Sequence, residues 1–502
     1  MIYRIIHSRN APTTSERKPW YAIGFGLCFL LSGCLWEPVP IQLKAEPPQA
    51  FSNSGHAPLP DKWWEAFDDP YLNHLVETAL ADNPSLLATW DRLTQADAVM
   101  RRDRGFRFPI LNGTTNASRS RDNTGRQTDR LTLGLSVNYE LDLWGRVRAS
   151  TSAANFEAQA RQADVATAAI SLSAEIAKAW YALTEQRGQL ALLQRQIATN
   201  EKILEVVTLR FRQGVAAAPD VLRQRQLIEQ TRGETKDVLA QIHTLTHQLA
   251  ILLGKPPTSI TFPEYTTLIP LPSLPSTGLP VELLHRRPDV QTGFFQVQAA
   301  DARVAVAIAE RFPRIDLTGS LTTNLSSTLS GGSFAATPAG LFSSWLGTIA
   351  AQIVAPIFNA GGRAAEVDRT KGVLSEALNT YESTVLQAFK EVEDALSRES
   401  QQREKAVSLE TQLQLATDVI ARLRGRYIQG ATAYIDVLNA LISQQNLERQ
   451  ILTARRTLID YRVDLNKALA GGWEMEAPEL RQLSSSNTEE PSTETVGKVQ
   501  SS

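Results

Sequence analysis

Residues 131–143 read LTLGLSVNYELDL and alternate between apolar and polar side chains without a break. Because successive side chains of a β-strand point to opposite faces, this period of two predicts a strand with one apolar and one polar face. Strands of soluble proteins average about 5 or 6 residues, whereas a tilted strand that crosses a bilayer in a barrel needs about 9 to 11. The stretch is therefore typical of a barrel strand with lipid on one side and water on the other.

Three further stretches extend this pattern to four strands. We expect them near residues 109–121, 313–326 and 345–358, and the strand quoted above near 130–143. An open four-stranded sheet is unstable in lipid because the backbone groups at its two edges stay unpaired. Several chains must therefore combine. The spacing does not fix their number, but three copies would supply a twelve-stranded closed barrel, and a symmetric ring with a barrel of that width makes three the reasonable choice.

The chain consists of two similar halves. Matching peptides lie 204 residues apart in the first part of each half and about 216 residues apart in the later part. The matches are NPS and RPD at 83–85 and 287–289, RFP at 107–109 and 311–313, FRQG and YIQG at 211–214 and 427–430, and DVL at 220–222 and 436–438. Self-similarity of this kind predicts one structural unit that occurs twice.

Each half also contains an antiparallel pair of long helices. The seam of the first helix steps alternately by 3 and 4, as in a left-handed coiled coil, through Leu190, Leu193, Ile197, Asn200, Leu204, Val207 and Phe211. Proline is absent from 145–212 and 362–426, so each helix reaches roughly 100 Å and must project through water beyond a bilayer. The hairpin turns contain Gly214 and Gly430, at positions where the turn favours a residue that tolerates a left-handed backbone conformation.

The N-terminus has the pattern of a targeting segment. Basic residues precede an apolar run of about 11 residues that ends at Leu31, too short for the ~20 residues that a transmembrane helix needs. The peptide LSGC at 31–34 resembles the bacterial lipobox. We therefore predict a lipoprotein signal peptide over residues 1–33 and a covalent diacylglycerol and palmitate on Cys34; the alternative is that Cys34 is an ordinary cysteine of a longer anchor. By resemblance to the sorting of bacterial lipoproteins, Leu35 rather than Asp at the next position favours the outer membrane.

Composition and motifs point away from nucleic acid, metal and catalysis. The formal net charge is −2, with acidic and basic residues mixed along the chain, so no nucleic-acid partner is predicted. The cysteines are Cys28 and Cys34 alone, so no disulfide or cysteine metal cluster is expected in the folded body. His243 and His247 have helical i, i+4 spacing, but no glutamate follows His243. We predict no metal site, no enzyme activity and no cofactor apart from the lipid.

Three motifs resemble those of the TolC-type outer-membrane efflux factors, in particular the NodT/OprM-like lipoprotein branch that serves resistance-nodulation-division pumps. They are WWEAFDDPYL at 63–72, GLP and RRPDV between residues 278 and 290, and ALAGGW at 468–473. The resemblance covers essentially the whole mature chain. It implies an α+β membrane protein: a homotrimer whose twelve-stranded β-barrel, with four strands per chain, is continued by a long α-helical coiled-coil tunnel in the periplasm.

The resemblance also implies a function. It is that of the outer-membrane channel of a tripartite efflux system, which passively conducts substrates exported by a proton-driven inner-membrane pump through a periplasmic adaptor, the membrane fusion protein. Two alternatives stay open: the exit duct of a type I protein secretion system, which shares the fold, and a non-conducting structural lipoprotein. Substrate selection is expected to reside in the pump, because the duct contacts its cargo only in passing.

The predicted domains follow the two halves. After the signal peptide come an N-terminal extended segment (34–70), a first repeat (71–254) with its hairpin turn near 213–219, a proline-rich equatorial connector (255–287), a second repeat (288–472) with its turn near 429–435, and a largely disordered tail (473–502). The connector and the chain ends are expected to form an equatorial collar.

The resemblance implies a gate at the periplasmic tip, where the hairpins coil inward and hold one another by hydrogen bonds and ion pairs. The residues that match by position are Asp220, Arg426, Tyr427 and Asp436. Three chains would bring six carboxylates near the axis, and such a ring favours cations. Thr432 and Asn439 depart from some members of the family, in which an arginine and a further carboxylate can stand there.

Two further expectations concern the same turns. Asp220 and Asp436 could instead cap the returning helices, a common role for aspartate, and the two roles can coexist. The small residues around Gly214 and Gly430 would let the backbone of another hairpin approach closely, so the turns are the expected contact with the adaptor.

Overall fold

The computed structural model describes residues 47–58, 60–121, 123, 127–329 and 345–469. The predicted signal peptide, Cys34, the end of the closing motif and the tail lie outside these residues. The chain forms two compact units. The first contains Arg92–Ala163 and Asp289–Gln387, and the second contains Pro48–Asp91, Asp164–Pro288 and the described residues from Ala388 onward.

The described residues form eight α-helices, four strands and one 3-10 helix at Trp63–Phe67. In chain order they are α1 (Pro70–Asp82), α2 (Pro84–Gly105), β1 (Ile110–Arg121), β2 (Gln127–Glu140), α3 (Arg146–Arg212), α4 (Ala218–Leu252), α5 (Pro280–Arg286), α6 (Pro288–Ala309), β3 (Arg314–Leu329), β4 (Trp345–Val354), α7 (Gly362–Ile428) and α8 (Tyr434–Leu469).

The four strands form one antiparallel sheet in the order β1-β2-β3-β4. Its register pairs odd-numbered residues with odd-numbered ones: Val137 lies opposite Leu111 on one side and Gly319 on the other, and Gly319 lies opposite Ile349 of β4. Since cross-strand partners share a face, most of the apolar side chains collect on one face and most of the Thr, Ser and Asn side chains on the other. The two-faced sheet predicted from residues 131–143 is present.

Two strands end earlier than their patterns predict. β2 covers Gln127–Glu140, whereas the alternation suggested 130–143. The reason is Asp142, whose carboxylate accepts hydrogen bonds from the backbone N–H groups of Val147 at 3.0 Å and Arg148 at 2.9 Å, so that it caps α3 instead of continuing the strand. β4 ends at Val354 rather than near 358 because Pro356 has no N–H to donate to a ladder.

The long helices are present in both halves. α3 and α7 each contain 67 residues, or roughly 100 Å at 1.5 Å per residue. α7 continues to Ile428, two residues beyond the predicted end at 426, so Tyr427 belongs to its last turn. Among the described residues, no helix combines the length and the apolar character needed to cross a bilayer.

The aromatic motif at 63–72 has a structural role in the second unit. Trp63 and Trp64 are fully buried, and the Trp63 indole donates to the Ser173 hydroxyl at 3.0 Å. Asp69 caps α1 by accepting hydrogen bonds from the first backbone N–H groups of that helix, and its second oxygen accepts the Trp180 indole N–H at 2.9 Å. The motif therefore fixes the chain against α3.

The connector of the second unit is held through its backbone. Arg462 and Glu399 form a bidentate ion pair of 2.6 and 2.8 Å, and their side chains are only 1% and 3% exposed. The same guanidinium donates to the carbonyl oxygens of Pro272 at 2.5 Å and Ser273 at 2.7 Å. Removing one partner of such a buried pair typically costs about 3–5 kcal/mol, so this contact ties the connector firmly to α7 and α8.

The two faces of the sheet can be tested with adjacent cysteines. We expect Ser136→Cys to react with a charged, membrane-impermeant maleimide in lipid vesicles, because the even-numbered face is wet, and Leu135→Cys to stay unlabelled in lipid. Each variant is the control of the other, since the two positions differ by one residue in the same strand. Equal labelling of both cysteines would contradict the assignment of the faces.

Candidate functional site at the hairpin turns

The two hairpin turns have the same backbone geometry. Gly214 and Gly430 have φ values of 72° and 75°, in the left-handed region that favours glycine. Their N–H groups bond to the carbonyls of Phe211 at 2.9 Å and Tyr427 at 3.0 Å, and the following N–H in each turn reaches back five residues at 2.9 Å. This is the Schellman ending of a helix, so both glycines are required by the turn itself.

The two predicted gate carboxylates occupy equivalent places, at the third residue of α4 and of α8. Asp220 accepts from the backbone N–H of Ala217 at 3.4 Å and pairs with Arg223 at 3.5 Å. Asp436 is exposed and accepts from the Thr432 hydroxyl at 2.9 Å. Both side chains make these contacts within their own turns. Asp220 bonds to the backbone N–H of Ala217, the N-cap residue of α4, whereas Asp436 bonds to a side-chain hydroxyl and faces solvent, so a part in helix capping is seen for Asp220 alone of the two.

Tyr427 is held by an arginine of the other hairpin. The Arg210 guanidinium carbon lies 4.6 Å from the centre of the Tyr427 ring, in a cation–π arrangement. Arg210 also donates to the carbonyl oxygens of Tyr427 and Ile428, both at 3.3 Å. These are the last carbonyls of α7, where a positive charge is favoured by the helix dipole. Arg210 thus joins α3 to the end of α7.

Arg210 is absent from the residues predicted from the sequence, although the repeat contains a signal for it. An offset of 216 makes Arg210 the counterpart of Arg426, which the resemblance did select. Arg426 itself is exposed and forms no ion pair with any residue that the structure describes. Of these two equivalent arginines, the one in the first half makes the contact with Tyr427.

The aromatic contact continues to a second tyrosine. The rings of Tyr427 and Tyr434 lie 5.4 Å apart at an angle of 54°, and the buried Tyr434 hydroxyl donates to Oε1 of Gln224 at 2.5 Å. Burial raises the pKa of both phenols above the ordinary value, with the nearby Arg210 charge opposing the rise at Tyr427. Both hydroxyls are therefore neutral at physiological pH, and the charges at the turns belong to carboxylates and arginines.

The predicted site residues thus fall into three groups. Asp220, Tyr427 and Asp436 lie at the turns, with Tyr427 in the contact between the two hairpins, while Arg426 is exposed and takes no part in that contact. Cys34 lies outside the described residues, and its lipidation stays a prediction. Together the turns form a mechanical contact between two hairpins, built from one cation–π pair, two tyrosine rings and helix-end carbonyls.

The sequence matches the family described as "Outer membrane efflux protein" over residues 75–255 and 279–471. The pyoverdine export outer membrane protein OpmQ of Pseudomonas aeruginosa is 31% identical over 470 residues, which cover 89% of this chain and 96% of that protein. The solvent efflux pump outer membrane protein SrpC of Pseudomonas putida is 29% identical, with coverage of 89% and 96%.

Solved structures show the same fold. The outer-membrane channel OprN superposes with a TM-score of 0.77 at 28% identity, covering 88% of this chain and 99% of that one. The open state of the MtrE outer membrane channel of Neisseria gonorrhoeae gives a TM-score of 0.74 at 28% identity, with coverage of 88% and 98%. These similarities confirm the family, the fold class and the outer-membrane location that the sequence predicted.

The contact of Arg210 can be tested by amide hydrogen exchange. Replacing Arg210 by Gln removes the cation–π contact and weakens the bonds to the end of α7, so we expect the N–H groups of Gly430 and Ala431 to exchange about threefold to tenfold faster. Arg212→Gln is the matched control, since Arg212 is exposed and two residues away. Equal exchange in both variants would show that Arg210 does not stabilise the turn.

Proposed function

The chain belongs to the outer membrane efflux protein family, and we propose that three copies of it form the exit duct of a tripartite efflux system. The duct passively conducts substrates that a proton-driven inner-membrane pump exports and a periplasmic adaptor transfers. The observation that carries this proposal is the two-faced sheet whose edge strands, β1 and β4, each pair on one side only within the described chain. In lipid, those edges require partners from neighbouring copies.

The internal repeat supports a specific way to close the barrel. Shifting β1 by 204 residues and β2 by 216 residues turns the observed pair Ile110–Asn138 into Arg314–Val354, which is the pair observed between β3 and β4. The two hairpins of the sheet therefore have the same register. In the repeat, β1 corresponds to β3 and β2 corresponds to β4. The pairing of β4 with the β1 of a neighbouring copy is then the counterpart of the pairing of β2 with β3.

This correspondence predicts the residues that meet at the seam. The pair Asn138–Thr318 maps onto Val354 opposite Thr114 of the neighbouring copy. We expect a chain carrying Val354→Cys and Thr114→Cys to form disulfide-linked dimers and trimers in the outer membrane, seen by non-reducing electrophoresis. Replacing Thr115 instead of Thr114 by Cys places the second thiol on the opposite face of β1, which should abolish the cross-link. Cross-linking only with the Thr115→Cys partner would contradict this register.

The hairpin turns are the proposed gate. Three copies bring Asp220 and Asp436 of each chain towards a common axis, and the six carboxylates favour cations over anions. Within each chain, Arg210 and Tyr427 hold the two hairpins together, so opening requires that this contact loosen when the pump and adaptor engage. The turns around Gly214 and Gly430 are the proposed contact with the adaptor.

A lipid on Cys34 is the second membrane attachment in this proposal. The support is the LSGC peptide after a short apolar run. A diacylglycerol and a palmitate would anchor the N-terminus in the membrane that the barrel crosses.

Planar-bilayer recordings test the duct and its gate together. We expect the parent protein to conduct, and replacement of both Tyr427 and Asp436 by Ala to raise the single-channel conductance severalfold, because the first change removes the ring that Arg210 contacts and the second removes a carboxylate at the turn. Ser443→Ala, two turns further along α8 and also exposed, is the control and should leave the conductance unchanged. A parent protein that conducts no ions would favour a purely structural lipoprotein. A double variant with the conductance of the parent would show that the gate does not lie at these turns.

A further inference from the structure

Buried amide side chains line the contacts of α3 with α4 and α8. Asn200 and Gln224 are fully buried, and Gln196 and Gln445 are each 4% exposed. Burial of an amide is costly unless it is hydrogen-bonded. Asn200 also occupies a position of the coiled-coil seam at which its neighbours are apolar.

The centre of this group is a reciprocal pair. Nδ2 of Asn200 donates to Oε1 of Gln445 at 3.3 Å, and Nε2 of Gln445 donates to Oδ1 of Asn200 at 3.0 Å. On the side away from the turns, Gln196 donates to the Gln445 carbonyl at 3.2 Å and accepts from Arg449 at 2.8 Å. The amides of α3 and α8 thus serve as partners for one another.

The same network reaches the hairpin turns. Gln224 of α4 donates to the Asn200 carbonyl at 2.8 Å and accepts from the Tyr434 hydroxyl at 2.5 Å. Tyr434 in turn packs on Tyr427, the ring that Arg210 covers. Hydrogen bonds and ring contacts therefore run without interruption from the buried pair to the site at the turns.

The apolar residues on either side cannot fix the alignment by themselves. Val207 of α3 and Leu438 of α8 belong to one buried cluster, as does Leu441. Apolar positions recur every three or four residues, so sliding α8 by one turn replaces one apolar contact by another. The amide pair does not tolerate that movement, since a buried polar group left without a partner is strongly destabilising.

We infer that Asn200 and Gln445 are positioning residues that set the register of α8 on α3. This alignment along the helix axis brings Tyr427 into contact with Arg210 and Tyr434 into contact with Gln224. The role in gating rests on the proposed function of the turns, whereas the role in register does not. A single buried polar pair in a coiled-coil seam is a known means of specifying alignment at a cost in stability.

The experiment measures register directly in the purified full-length protein. Asn200 lies opposite Gln445, so positions seven residues away on each helix, Val207 and Leu438, should also face each other. Disulfide formation between Val207→Cys and Leu438→Cys reports the native register, and Val207→Cys with Leu441→Cys reports a displaced one. The linked peptides are quantified by mass spectrometry after proteolysis.

In the background of Asn200→Leu with Gln445→Leu, we expect the native cross-link to fall at least about threefold relative to the displaced one. The thermal unfolding midpoint should be equal to or above that of the parent, because two apolar residues replace two buried amides. The exchanged pair, Asn200→Gln with Gln445→Asn, should restore the parental cross-link ratio.

Two results would overturn the inference. One is a parental cross-link ratio in the double leucine variant, which would show that apolar packing alone fixes the register. The other is a lowered unfolding midpoint in the double leucine variant that is not restored in the exchanged pair. That result would show that the two amides contribute only to packing and do not specify the register. Neither the cross-link ratio nor the unfolding midpoint depends on ion conduction. A parent protein that fails to conduct would therefore contradict the proposed duct and leave the register measurement valid.

Discussion

Hydrogen bonding of the backbone in lipid is the constraint on which the rest of this structure depends. Water is absent from the hydrocarbon core, so every N–H and C=O there needs a protein partner. A sheet with the order β1-β2-β3-β4 satisfies its three internal seams and leaves two edges. Copies of the chain are the available partners for those edges, and symmetric association follows from this requirement. In the proposed trimer, the duplicated sequence makes the closing seam a counterpart of the seam between β2 and β3.

The two hairpins face a different requirement in the proposed duct, because they must be stable in water and still able to separate at one end. Apolar clusters give the helices most of their cohesion. Near the turns, the Arg210 guanidinium contacts the Tyr427 ring. Along α8, the Asn200–Gln445 pair lies between these two clusters, and we infer that it aligns α8 with α3. In the proposed duct, cohesion, alignment and opening would thus depend on different residues along the same helices.

Much of this arrangement is predictable from the sequence, because periodicity is a direct consequence of backbone geometry. Alternation in residues 131–143 predicts the faces of β2, and the spacing of 3 and 4 predicts the helical hairpins. The end of β2 was predicted wrongly, since Asp142 suits a polar strand position and a helix cap equally well. The contact of Arg210 joins residues more than 200 positions apart, so only the internal repeat pointed to it.

The way in which Arg462 holds the connector has a consequence for sequence variation. Its guanidinium recognises two carbonyl oxygens, at Pro272 and Ser273, and not the side chains of those residues. Carbonyl groups are common to all amino acids, so related chains can drift in composition at this stretch while the length of the stretch stays fixed. An insertion of one residue there would displace the acceptors, although a substitution would not.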